Sequence, residues 1–95
     1  MATDKKVRLR SNIAIPPGEL LAEELEAREM TPLELASRLG WAVDVVEEIL
    51  RGERPIRRET ALGLEKALGS KAQIWLNLES GYQATKAKIE REARA

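Results

Sequence analysis

Between residues 20 and 89 apolar side chains recur at intervals of three and four rather than two. That spacing predicts amphipathic helices and no convincing strand. Pro16-Pro17-Gly18 makes a stiff turn, and Pro17 sits where a proline can open a helix. The first helix should run from there to about Glu29, with Leu21 and Leu25 one turn apart on its inner face. Thr31 is a good N-cap, Pro32 suits the first helical position, and Glu34 stands three residues after the cap. That is a capping box. A second helix, Pro32 to Leu39, should bury Leu35, Ala36 and Leu39 and stop at Gly40, which can take the left-handed conformation.

The third helix is expected over Val43 to Arg51, with Val46, Ile49 and Leu50 inward and Gly52 at its end. Glu53 to Arg58 reads as a connector broken by Pro55. A fourth helix, Arg58 to Leu68, carries Ala61, Leu64 and Leu68 at helical spacing and closes at Gly69. Ser70 is the expected cap of a fifth helix bearing Ile74, Trp75, Leu78, Tyr82 and Ile89. The last dozen residues are charged and weakly amphipathic, so fraying is expected there. The fold class is therefore all-α, a compact five-helix domain. It divides into a basic arm over 1–14, a domain over 15–83 and a charged helix end over 84–95.

Ninety-five residues support one domain with little core to spare. Phenylalanine is absent, so the core must come from aliphatic residues with Trp41 and Trp75. Charged residues make up 34%, and no run approaches the ~20 apolar residues of a membrane span. Met1 to Ile15 lacks the apolar stretch of a secretion signal, which makes a cytoplasmic protein the expectation and a membrane partner unexpected. Cysteine and histidine are both absent. Disulfides, thiolate or imidazole metal sites and the side chain that titrates near neutral pH are thus excluded. The carboxylates fall at helix-surface spacing without the apolar surroundings that raise a pKa. No enzyme, cofactor, metal or small-molecule substrate is expected.

Net charge is zero but unevenly spread. Residues 15–50 carry a net −7, because eight Glu and Asp44 outweigh Arg28 and Arg38. Residues 51–58 carry +3 through Arg51, Arg54, Arg57 and Arg58 against Glu53, and residues 1–14 also carry +3. Such a patch can meet phosphate on a neutral chain, because the local field governs contact. On composition alone, a simply solvated charge run is the better reading. Pro32 to Arg51 is more specific. Ala36 lies four residues before Gly40, Val46 six after it and Ile49 three further on. A small residue for close helix approach, a glycine turn and two aliphatic anchors are what a helix-turn-helix requires, although a structural helical hairpin wants something similar.

The surrounding residues carry a resemblance. Ile15-Pro16-Pro17-Gly18-Glu19 with Leu20-Leu21 and Glu23-Glu24 looks like the opening of HigA-type antitoxins. Leu35-Ala36 with Leu39-Gly40, Arg51-Gly52 through Ile56, Glu59-Thr60-Ala61-Leu62, Ala67-Leu68-Gly69, and Trp75-Leu76-Asn77-Leu78 with Tyr82 continue it in register over 15–83. These proteins belong to the Cro/phage-repressor-like superfamily of helix-turn-helix domains. The resemblance implies a homodimer that represses its own operon by binding double-stranded operator DNA, and that neutralises a small basic RelE-like toxin which cleaves messenger RNA. It places a recognition helix from Ala42, with Val43, Asp44 and Glu48 toward the major groove. Arg51, Arg54, Arg57 and Arg58 would meet phosphate, as would Thr31 at the start of the second helix. Tyr82 and Ile89 lie beyond the compact part and are candidates for a dimer seam. The sequence departs from the pattern in offering Val43, Asp44, Glu47 and Glu48 where relatives offer Ser, Arg, Gln or Asn, and Pro32 where many carry a phosphate-binding Gln. Carboxylates can accept from cytosine N4, but phosphates repel them. Two alternatives stay open: an interaction module that neutralises toxin without reading DNA, and a lone repressor, which the Trp75 to Tyr82 segment disfavours.

Overall fold

The computed structural model describes residues 14–94, so the basic arm expected over 1–14 lies outside the described residues apart from Ala14. Five helices follow: α1 Pro17–Ala27, α2 Pro32–Leu39, α3 Val43–Leu50, α4 Arg58–Leu68 and α5 Ala72–Arg94. No strand occurs among the described residues. The capping box forms as the spacing predicts. Thr31 Oγ1 accepts the Glu34 N–H at 3.1 Å, and Glu34 Oε1 accepts the Thr31 N–H at 3.0 Å. At the other end of α2, Gly40 takes φ 72°, and the Trp41 N–H turns back to the Ala36 carbonyl at 2.9 Å. This Schellman closure sets the entry into α3.

Three boundaries differ from expectation. α1 ends at Ala27, two residues early, because Glu29 adopts φ 55° and the Met30 N–H returns to the Leu25 carbonyl at 2.8 Å. A glutamate thus holds the left-handed position that glycine usually fills. α3 ends at Leu50, with Arg51 as its cap. α5 opens at Ala72, and the Ile74 N–H bonds to the Lys71 carbonyl, which moves the cap off Ser70. Nor does α5 stop short: it is helical through Arg94. Alanines and the pairs Lys86/Glu90, Lys88/Glu92 and Glu90/Arg94, each four residues apart, favour helix without tertiary help.

The core is one cluster contributed by all five helices: Leu21 and Leu25 of α1, Leu35 and Ala36 of α2, Val46 and Ile49 of α3, Ala61, Leu64 and Leu68 of α4, and Trp75 of α5. Ile56 of the connector joins it, a contribution the reading of that segment as a mere break did not foresee. Leu39, Leu50 and Leu78 are only half-buried, and Ile74 is 51% exposed. Two long-range polar braces complete the packing. Arg28 donates to the Leu68 carbonyl at 2.6 Å and to Glu24 Oε1 at 2.8 Å, so the end of α1 is tied to the end of α4. Glu79 of α5 accepts the Ile56 N–H at 3.0 Å and the Gln83 side-chain amide at 2.6 Å.

Candidate nucleic-acid interface

α2, the Gly40 turn and α3 form the two-helix corner. Their buried contact is built from Leu35, Ala36, Val46 and Ile49, the small residue and aliphatic anchors expected there. α3 is then held from its far side. An added Cβ at Gly18 would lie 2.0 Å from the Ile49 carbonyl oxygen and 2.9 Å from that of Leu50, so the first turn of α1 abuts the backbone end of α3. A Cβ at Gly52 would meet the Pro16 ring at 3.0 Å. The Pro16-Pro17-Gly18 turn therefore serves as a seat for the C-terminal end of α3, which fixes how that helix projects.

Along α3 the candidate reading residues divide. Ala42 is the N-cap; it is exposed and makes no side-chain cap bond. Asp44, in the first turn, faces solvent, where its charge favours the positive end of the helix dipole. Val43 is half-buried and packs on the core, which limits the surface it can offer. Glu47 is exposed. Glu48 is not a lone charge: its Oε1 receives Arg54 Nε at 2.8 Å and an Arg54 terminal nitrogen at 2.6 Å. This acid of α3 is thus paired with one of the connector arginines.

That connector carries the cations. Arg51 pairs with Glu53 at 3.1 Å, while Arg54 pairs with Glu48. Arg57 is the N-cap of α4 and Arg58 its first residue; both are exposed, and among the described residues neither forms an ion pair. Burial of Ile56 and its bond to Glu79 pin the middle of the segment, so the arginines on either side are carried on a fixed backbone. Sequence reasoning missed Glu79 because its partner is 23 residues away and is a backbone amide. Thr31 stands at the start of α2, exposed, with its hydroxyl oxygen already accepting the Glu34 N–H. Trp41, which follows the turn, packs over Gly63 of α4, where an added Cβ would meet the ring at 2.8 Å. That close approach accounts for a glycine inside a helix. Tyr82 and Ile89 are half-buried on α5; Tyr82 borders a pocket shared with Ile49, Gly52 and Arg54 at the end of α3, and Lys86 Nζ lies 5.8 Å from the Tyr82 ring centre.

A five-helix all-α domain whose second and third helices make this corner, followed by an arginine-bearing connector, is a helix-turn-helix domain of the Cro/phage-repressor-like kind. Comparison with known proteins narrows the class. No protein-family model matches the chain. The virulence-associated protein I of Dichelobacter nodosus is 36% identical over 81 residues, 84% of this chain and 75% of that protein. An addiction-module antidote protein of the HigA family from Coxiella burnetii is similar at 38% identity and TM-score 0.79, covering 85% of this chain and 89% of its own. The antitoxin HigA of Pseudomonas aeruginosa, solved with the higBA promoter, is 31% identical with TM-score 0.80, covering 86% and 90%. The chain belongs to the HigA family of antitoxins, whose members are regulators rather than enzymes. No helix among the described residues is long and apolar enough to cross a membrane.

Proposed function

We propose that this chain is the antitoxin of a toxin-antitoxin pair, which represses its own operon by binding double-stranded operator DNA as a homodimer and neutralises a small basic toxin of RelE-like fold. The observation that carries the DNA arm is the rigid seating of α3 and the connector, with Arg57 and Arg58 exposed and not ion-paired among the described residues. A similar protein solved with its promoter supports the same arm. In this reading Arg57, Arg58, Arg51 and Arg54 contact phosphate with Thr31, and Ala42, Val43, Asp44 and Glu48 face the bases. Tyr82 and Ile89 contribute to the dimer seam.

The exposed Asp44 and Glu47 favour a second reading, an interaction module that binds toxin and no longer reads DNA. One preparation separates the two. The chain is co-expressed with the product of the adjacent reading frame, the complex is sized, and the free chain is titrated onto upstream and random DNA. Upstream DNA bound well below the roughly 10⁻⁴ to 10⁻⁶ M of sequence-blind contact establishes repression. Sequence-blind binding alongside a stable protein complex leaves the interaction module.

A further inference from the structure

α5 meets the connector along a cleft at the end of α3. Gly52 and Arg54 line it from the connector, and Tyr82, Gln83 and Lys86 line it from α5. Arg54 also borders a second groove, which runs between Ala42, the N-cap of α3, and Thr60 in the first turn of α4. One arginine thus links the two depressions. The surface that carries the candidate reading residues continues across the connector and reaches α5 at Lys86.

Lys86 comes to this side of α5 for a helical reason. Glu79 accepts the Ile56 N–H at 3.0 Å, which fixes the face of α5 that is turned to the connector. Lys86 follows seven residues later, two turns or about 10.5 Å along the same face. The charges around the cleft are not equally engaged. Glu79 Oε1 holds the Ile56 N–H, and its Oε2 accepts the Gln83 side-chain amide at 2.6 Å. Glu53 is paired with Arg51, and Arg54 with Glu48. Lys86 is exposed, and among the described residues it forms no ion pair. Its Nζ stands 5.8 Å from the Tyr82 ring centre, within reach of a cation–π contact that holds the ammonium at the cleft. The acids here have partners and one cation does not, so the cleft suits an anion. Arg57 and Arg58 lie at the end of the same connector. A duplex laid against them presents a phosphate about every 3.4 Å of axis along each strand, so its backbone supplies further anions to any cation on the adjoining surface.

We infer that α5 takes part in DNA binding: Lys86 contacts a backbone phosphate of the operator duplex, beside those met by the connector arginines, and adds affinity without reading sequence. The inference rests on the DNA arm of the proposed function and extends that interface onto a helix outside the two-helix corner. Its test titrates the full chain onto upstream and random duplexes across a salt series. Lys86→Gln should flatten the dependence of log affinity on log salt by about one unit per protomer on both duplexes, the value for one lost phosphate contact. Lys86→Arg should keep the parental slope. Lys88→Gln controls for charge in general: two residues on, it lies about 200° around the helix, and its slope should match the parent's. Circular dichroism and sedimentation of all three variants should also match the parent. Failure of the unaltered chain to bind either duplex would remove the DNA arm and this inference with it. Three results would overturn the Lys86 contact alone and leave repression through α3 and the connector standing. One is an unchanged slope for Lys86→Gln, whatever its affinity. Another is equal flattening by Lys86→Gln and Lys88→Gln, which would reflect net charge. The third is a flattened slope accompanied by altered sedimentation, which would assign Lys86 to assembly.

Discussion

Gly18→Ala tests whether the first turn of α1 sets the position of α3. The added methyl would sit 2.0 Å from the Ile49 carbonyl oxygen and 2.9 Å from that of Leu50. Both are backbone atoms at the end of α3, so no flexible side chain can swing aside. Ordinary contact near 3.4 Å would require α1 and α3 to part by roughly 1.4 Å. Overpacking of this kind costs typically about 1–3 kcal/mol, and obstruction by backbone argues for the upper end. Alanine recovers up to about 1 kcal/mol, because glycine is the poorer helix former. The net expectation is a loss of about 2 kcal/mol, which for a domain of this size lowers Tm by roughly 8–16 °C. Urea unfolding followed by the fluorescence of Trp41 and Trp75 measures it. DNA titration at a temperature where the variant remains folded should show a further loss, since α3 would no longer project at the same angle. A variant within about 0.5 kcal/mol of the parent, with unchanged DNA affinity, would mean that α1 does not seat α3 at all.

Trp75→Ala should destabilise by about 3–5 kcal/mol, because the ring is 3% exposed within the core; urea unfolding checks it, and a loss below about 1 kcal/mol would place the ring at an interface instead. Trp75→Phe should cost clearly less, since the indole N–H it removes has no partner among the described residues. Glu29→Gly should stabilise by up to about 1 kcal/mol, as glycine occupies φ 55° without the penalty a side chain incurs; a lower Tm would show that the Glu29 side chain has a role of its own. Glu79→Ala should cost about 1–2 kcal/mol by stranding the part-buried Ile56 N–H. It should also reduce DNA affinity more than that loss of stability explains, measured where both proteins are folded.

Local rules made much of this architecture legible. Thr31, Pro32 and Glu34 announce the start of α2 through groups that satisfy one another within a turn. Gly40 and Gly52 mark ends that need a positive φ. Ala36, Val46 and Ile49 mark the corner because close packing accepts few side chains there. What stayed hidden depends on partners remote in sequence. Glu79 looks like any solvated acid until Ile56, 23 residues earlier, is folded against it. Arg28 looks like a surface charge until it reaches the Leu68 carbonyl, 40 residues on. Ile74 shares its helix face with Leu78, yet which part of that face is covered depends on where α1 ends. Glu29 was hidden for a different reason: its left-handed conformation runs against its own propensity and is imposed by the turn into α2. The candidate interface followed the same division. Its residue types were visible, but the pairing of Glu48 with Arg54 was not, and that pairing changes what the acidic helix means.

The electrostatics of the interface lead to a last prediction. Four acids, Asp44, Glu47, Glu48 and Glu53, stand among four arginines, so net charge gives this surface no attraction for DNA. The arginines are not equivalent, however. Arg54 and Arg51 already have carboxylate partners, at 2.6 and 3.1 Å. Moving either onto a phosphate breaks an ion pair and leaves Glu48 or Glu53 unpaired beside a negatively charged backbone. Because these pairs are about half exposed, each is worth only about 0.2–1 kcal/mol, and the released carboxylate offsets part of the new contact. Arg57 and Arg58 give up no such pair. Replacing both with Ala should therefore flatten the dependence of log affinity on log salt by roughly two units per protomer, close to the value for two phosphate contacts, on operator and random DNA alike. Replacing Arg51 and Arg54 should flatten it by clearly less, because Glu48 and Glu53 were already screening them. Asp44→Ala should leave the slope nearly unchanged and alter sequence preference or raise general affinity. Titrations across a salt series measure all three. Equal slopes for the two arginine pairs would show that the ion pairs do not restrain Arg51 and Arg54, and that the acidic residues of α3 act on DNA only through their own charge.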